Sequence, residues 1–301
     1  MEHATYHVAT LIAAPGALSA AIVERVRKTL TGANEPQWLD SGTAADISFN
    51  ADNAADQRAI AEQVRGLLSG APVDVVVQQA NGRRKKLFVA DMDSTMIGQE
   101  CIDELADYAG LKSHVAAITE RAMRGEIEFA QALRARVALL QGVPLSVIED
   151  VITQRVTITP GARTLVATMR KNGAYTCLVS GGFTLFTRRI AEMIGFDEHR
   201  ANILVIEGER LAGRVQEPIL GREAKLQALL DLRQKLRLSA EETLAAGDGA
   251  NDIPMIEAAG LGIAYHAKPA VAAAAHARIE HGDLTALLYA QGYPREEFVE
   301  A

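Results

Sequence analysis

The sequence predicts an α/β protein: a Rossmann-like parallel sheet interrupted by a helical insertion, with a small α+β unit ahead of it. Three observations carry this. Apolar runs of strand length end abruptly in polar residues at LFVAD (87–91), YTCLVS (175–180) and TLAAGD (243–248). Such unbroken runs suit strands buried on both faces of a parallel sheet. Segments of helical periodicity separate them. Between the first two runs, residues from about 98 to 156 contain several helical segments and no strand-like one.

The elements follow in order. HVATLIAA reads as a strand and Gly16 to Leu30 as a helix. QWLDSG and ADISFN form a hairpin, ADQRAIAEQVRGLLSG a helix and VDVVVQQ a closing strand. The order βαββαβ is that of the ferredoxin-like fold. Residues 1–82 are therefore expected to be one domain and 83–301 a second. The basic run Arg83 to Lys86 reads as a solvated junction. ECIDELADYAG, SHVAAITERAMRG, FAQALRARVALLQG and SVIEDVITQ are cap helices, and Pro160-Gly161 marks the return to the core. NILVIEGERLAGRV reads as a hairpin turning at Glu207 to Arg210.

Bulk properties exclude some classes of function. The 301 residues suggest two domains, and 49% hydrophobic content is ample for a core. With 38 acids against 31 bases the formal charge is −7, which argues against nucleic acid or an anionic membrane as partner. Two cysteines, Cys101 and Cys177, make no disulfide framework and suit a reducing cytoplasm. Residues 4–23 carry no formal charge. However, they lack the basic start of a signal peptide, and Pro15-Gly16 divides them, so a strand, a turn and a helix start are expected rather than a membrane span.

The chemistry sits where the apolar runs stop. Asp91 and Asp93 follow the first run. Two carboxylates this close are tolerated where a cation or a proton is shared. Ser180-Gly181-Gly182 ends the second run before a helix from about Phe183, a pattern that cradles phosphate with free amides and a hydroxyl. Lys225 lies in the periodic helix GREAKLQALLDLRQKL. Gly247-Asp248-Gly249, with Asn251 and Asp252, ends the third run and adds another strand-end carboxylate.

Taken in order, Asp-x-Asp-Ser-Thr, Ser-Gly-Gly, Lys and Gly-Asp-Gly-x-Asn-Asp resemble the four motifs of the haloacid dehalogenase-like phosphohydrolases. The insertion, with Glu100 and AMRGEIEFAQALRARVALLQG, is similar to that of the phosphoserine phosphatases within the family, down to Met123, Phe129 and Arg136. The resemblance spans roughly residues 85 to 290. It implies Asp91 as nucleophile, Asp93 as general acid and base, and Lys225, Ser180, Gly181 and Gly182 as the phosphate cradle. It implies Mg²⁺ held by Asp91, Asp248 and the Asp93 backbone carbonyl, with Asn251 and Asp252 shaping that shell. Arg136 and Glu100 would hold the carboxylate and ammonium of O-phospho-L-serine, between apolar walls of Met123 and Phe129. The implied reaction yields L-serine and phosphate, as the last step of serine biosynthesis. Residues 1–82 resemble an ACT-type domain by element order. An amino-acid effector, a homodimer contact and a plain packing module are all open for it.

Overall fold

The computed structural model describes residues 5–51, 56–123 and 126–300. Its first unit contains β1 (Thr5–Ala13), α1 (Ala20–Arg27), β2 (Gln37–Asp40), β3 (Ala44–Ala51), α2 (Gln57–Leu68) and β4 (Val73–Gln79). The sheet order is β2-β3-β1-β4, with every pairing antiparallel. That is the order and connectivity of the ferredoxin-like fold. Asp56 accepts from the Arg58 and Ala59 amides and so caps α2.

The core opens with β5 (Leu87–Asp91). The cap follows as α3 (Cys101–Tyr108), α4 (Lys112–Met123), α5 (Phe129–Leu139) and α6 (Ser146–Gln154). Next come α7 (Ala162–Lys171), β6 (Tyr175–Phe183), α8 (Thr184–Ile194) and β7 (Glu198–Asn202). A hairpin of β8 (Leu204–Glu207) and β9 (Arg210–Val215) leads to α9 (Arg222–Lys235). The chain ends through β10 (Thr243–Gly247), α10 (Ile253–Ala258), β11 (Leu261–Tyr265), α11 (Pro269–Ala274), β12 (Ala277–Ile279) and α12 (Ala286–Ala290). The six core strands run parallel in the order β12-β11-β10-β5-β6-β7. Every residue of β5, β10 and β11 is buried, as their unbroken apolar sequences require.

The cap is tied to the rest at two places. Its two linkers pair with each other: Gly98 N–H donates to Thr157 O at 3.0 Å, and Thr159 N–H to Met96 O at 3.1 Å. At its far end Gly142 N–H donates to Leu211 O at 2.8 Å, and Leu145 N–H to Glu209 O at 2.9 Å, which joins the cap to the β8–β9 hairpin.

The two sheets share one hydrophobic cluster. Strand alternation turns Leu11 toward α1 and α2, and turns Ile12 toward Leu287, Tyr289 and Ala290 of the core. Arg83 and Lys85 correct the expectation of a solvated junction. Arg83 is largely buried and pairs with Asp46 at 2.5 Å, while Lys85 Nζ donates to Gly82 O and Glu241 O, both at 2.8 Å. A cation at a seam between two packed sheets must find its partners inside the protein.

Candidate active site

Parallel register brings three strand ends to one level. Asp91 pairs with Val179, and Ala90 with Ala246. Ser180 and Asp248 therefore emerge on either side of Asp91. From β5 the chain winds first to β6 on one side and later to β10 on the other, and open α/β sheets bind their ligands at such a switch point.

Lys225 enters from below. α9 buries Lys225, Ala228, Leu229 and Leu232, so the lysine occupies a position of the helix's core-facing stripe. Its Nζ lies 2.5 Å from Asp91 Oδ1 and 2.5 Å from Asp252 Oδ1. Asp252 is held in turn by the Gly249 amide at 3.0 Å.

After Asp91 the chain makes one wide turn, Met92–Met96, in which Ser94 adopts φ 58°. This turn aims Asp93 at its partners. Cys101 N–H donates to Asp93 Oδ1 at 2.8 Å, and Ser180 Oγ donates to Asp93 Oδ2 at 3.0 Å. Ser94 Oγ donates to Glu100 Oε1 at 2.9 Å and so orients the one cap carboxylate singled out from the sequence.

Ser180-Gly181-Gly182 was expected to end the strand, but it lies within it. β6 continues to Phe183, its register with β7 slips between Val179 and Phe183, and α8 begins at Thr184. Phe183 is fully buried and holds the strand in place, while the glycines absorb the slip. The Gly182 amide donates to Ser180 Oγ at 2.8 Å, and Asn202 Nδ2 to Gly181 O at 2.9 Å.

A cavity of about 460 Å³ lies between these strand ends and the cap. Asp91, Asp93, Gly181, Gly182, Asp248 and Asn251 line it from the core; Glu100, Phe129 and Arg136 line it from the cap. A Cβ placed on Gly181 would lie 3.3 Å from the Phe129 ring, so the glycine admits the cap at close quarters. Arg136 Nη1 lies 3.5 Å from Thr119 Oγ1, and among the described residues its buried Nε has no hydrogen-bond partner. Met123 ends α4, and its side chain lies outside the described residues.

Residues 88–257 match the haloacid dehalogenase-like hydrolase family. A curated phosphoserine phosphatase of Saccharomyces cerevisiae is 35% identical over 300 residues, covering 96% of this chain and 97% of its own. This chain belongs to the haloacid dehalogenase-like hydrolase family. A Streptomyces coelicolor phosphoserine phosphatase is 44% identical over 77% of the hydrolase, which spans only 56% of that longer relative. A haloacid dehalogenase family hydrolase from Salmonella enterica serovar Typhi superposes with a TM-score of 0.85 at 28% identity, covering 94% of this chain and 97% of that one. Among the described residues of the hydrolase, no helix is long and apolar enough to cross a membrane.

The hydrolase's site is short of positive charge. Asp91, Asp248 and Asp252 offer carboxylate oxygens within 4.8 Å of one another. Three carboxylates against one lysine leave an excess of two negative charges, and the donors are all hard oxygens. Such a set fits a divalent metal ion. Burial, together with the charge of Asp252, pushes Asp91 well above the ordinary carboxylate range against the pull of Lys225. Burial likewise raises Asp93, while the bonds from Cys101 and Ser180 oppose it. Glu100 is raised to about 7, first by the protein packed around it and then by the Asp93 charge.

Three polar cavity residues escaped the sequence reading: Asp103, Thr119 and Lys268. The first two sit on ordinary amphipathic helices, where nothing in the pattern marks them. Lys268 follows the apolar strand LGIAY, and the strand-end rule that flagged Asp91 would have flagged it too.

Proposed function

We propose that this hydrolase is a phosphoserine phosphatase, cleaving O-phospho-L-serine to L-serine and inorganic phosphate. The carrying observation is one cavity that joins the Asp91–Lys225 strand end to Glu100 and to the unpartnered Nε of Arg136. Phosphate, ammonium and carboxylate each find a complementary group there. The yeast and Streptomyces relatives are named for the same activity.

The chain's own residues supply most of the chemistry. An oxygen of Asp91 attacks phosphorus in line, the serine oxygen leaves, and an aspartyl-phosphate forms. Asp93 delivers a proton to the leaving oxygen; its raised affinity for that proton suits the role. Asp93 then takes a proton from a water that attacks phosphorus and releases Asp91 and phosphate. Lys225 and the Ser180–Gly182 segment neutralise the phosphoryl oxygens as charge spreads over them. Asp91, Asp248 and the Asp93 carbonyl would hold Mg²⁺, with Asp252 beside them. With Mg²⁺ in place, phosphoryl charge is neutralised and Asp91 kept ionised. Arg136 grips the serine carboxylate with paired donors, and Glu100 holds the ammonium. Phe129 supplies an apolar wall of the cavity. Both cysteines are free and buried, in keeping with a reducing cytoplasm, where L-serine release would be the last step of serine biosynthesis.

A phosphate-release assay on a panel of phosphomonoesters tests the reading. O-phospho-L-serine is expected to give the highest kcat/KM, with all activity lost on chelation and restored by Mg²⁺. A preference for an ester lacking the amino-acid head, or turnover that survives chelation, would refute it.

A further inference from the structure

We propose that Lys268 is a substrate-binding residue: an ammonium at the mouth of the cavity that pairs with the incoming phosphoryl group and with departing phosphate. The inference rests on the phosphate-ester reading of the site and adds a residue to it.

The charge balance calls for such a group. Five acids line the cavity, Asp91, Asp93, Glu100, Asp103 and Asp248, against two bases, Arg136 and Lys268. A phosphate dianion entering this space meets repulsion unless a cation meets it first. Lys225 is committed to two buried carboxylates. Arg136 is enclosed in the cap, beyond the strand ends. Lys268 alone of the three is exposed, and among the described residues it makes no ion pair.

The backbone fixes its base and leaves its tip free. Lys268 N–H donates to Asp248 O at 3.2 Å, which ties it to the turn carrying the third strand-end carboxylate. Pro269 follows at the start of α11. Two residues earlier His266 turns the chain at φ 43°, with its N–H on Ile279 O at 2.8 Å and its Nε2 2.9 Å from Gly282 O. Lys268 and Asp248 line the same cavity, so the ammonium stem starts on its metal-and-phosphate side. A flexible stem ending in a point charge suits a partner that arrives and leaves, whereas a planar guanidinium suits one held in fixed geometry.

The test is Lys268→Gln, with Lys268→Arg as the charge-retaining control; an exposed side chain makes both compatible with the fold. KM and kcat are measured for O-phospho-L-serine and for an aryl phosphate at low and high salt, along with inhibition by inorganic phosphate and the Mg²⁺ activation constant. Loss of one charge-assisted hydrogen bond is expected to raise KM about tenfold for both esters and to weaken phosphate inhibition similarly. kcat is expected to change less than about twofold, the loss to shrink at high salt, and the arginine variant to recover most of it. Unchanged KM and phosphate inhibition would overturn the proposal. So would an effect confined to Mg²⁺ activation, which would make Lys268 a modulator of Asp248. If the wild type turns over neither ester, the phosphatase reading fails by itself. Calorimetric binding of inorganic phosphate with Mg²⁺, compared between wild type and Lys268→Gln, then still decides the role of Lys268.

Discussion

Lys225 Nζ stands 2.5 Å from Asp91 Oδ1, and both groups are buried. Asp252 shares the same ammonium. One cation thus serves two carboxylates inside the protein, and the pair differs in what each member contributes. Lys225 is indispensable to the charge balance, whereas Asp91 is one of two acids competing for it.

Asp91→Asn is therefore expected to abolish phosphate release while leaving the fold intact. An amide is a poor nucleophile, but Asp252 still neutralises Lys225. Unfolding free energy should stay within about 1 kcal/mol of wild type, since the substitution removes one member of a like-charged pair. Denaturant titration together with a turnover assay checks both halves, and measurable turnover in pure Asp91→Asn would contradict the nucleophile assignment.

Arg136→Ala separates substrate choice from chemistry. Each charge-assisted hydrogen bond contributes about 1.5–3 kcal/mol, so losing a paired grip on the serine carboxylate should lower kcat/KM about 100-fold or more. An aryl phosphate, with no carboxylate, should be affected far less. Equal losses on both substrates would show that Arg136 supports the cap or the phosphate instead.

Glu100 makes stability depend on pH. Its affinity for a proton is raised to about 7 in the folded protein, so between about 4.5 and 7 the folded state holds a proton that the unfolded state has lost. Its contribution is thus most favourable in acid, is lost as pH rises toward 7, and is flat beyond. Water in the cavity reaches this side chain, which limits the effect to about 1 kcal/mol. Metal-free protein unfolded at pH 5 and pH 7.5 should show this trend, and Glu100→Gln should make it shallower, leaving the part carried by Asp91 and Asp93.

Asp74→Ala tests the seam between the sheets. The buried Asp74 carboxylate accepts from the amides of Glu280 and Gly282, both at 2.7 Å, and of His281 at 3.2 Å. Removing it strips three amides of their acceptor and should cost about 2–4 kcal/mol. Asp74→Asn keeps one oxygen and should cost less. A single cooperative transition is expected, because Ile12 and Val76 of the first sheet lie in the same cluster as Leu287 and Tyr289. Two separate transitions would show that the sheets unfold independently.

The sequence by itself determined the strands, their burial and the residues at their ends. A run such as Leu87–Ala90 has no polar side to offer solvent, and the acid that stops it must leave the core. The element order of the first unit was legible for a similar reason, since turn residues separate its strands and helices. Only the tertiary structure decided which strand ends meet. Asp91, Ser180, Lys225 and Asp248 are scattered over about 160 residues and converge because β5 lies between β6 and β10. It also decided the fate of the lysines and arginines. A cation's sequence neighbours say little about its surroundings, so Lys225 and Arg83 are buried beside acids distant in the chain, while Lys268 remains free at the mouth. Long-range charge pairing depends on the assembled shape, and no local pattern encodes it.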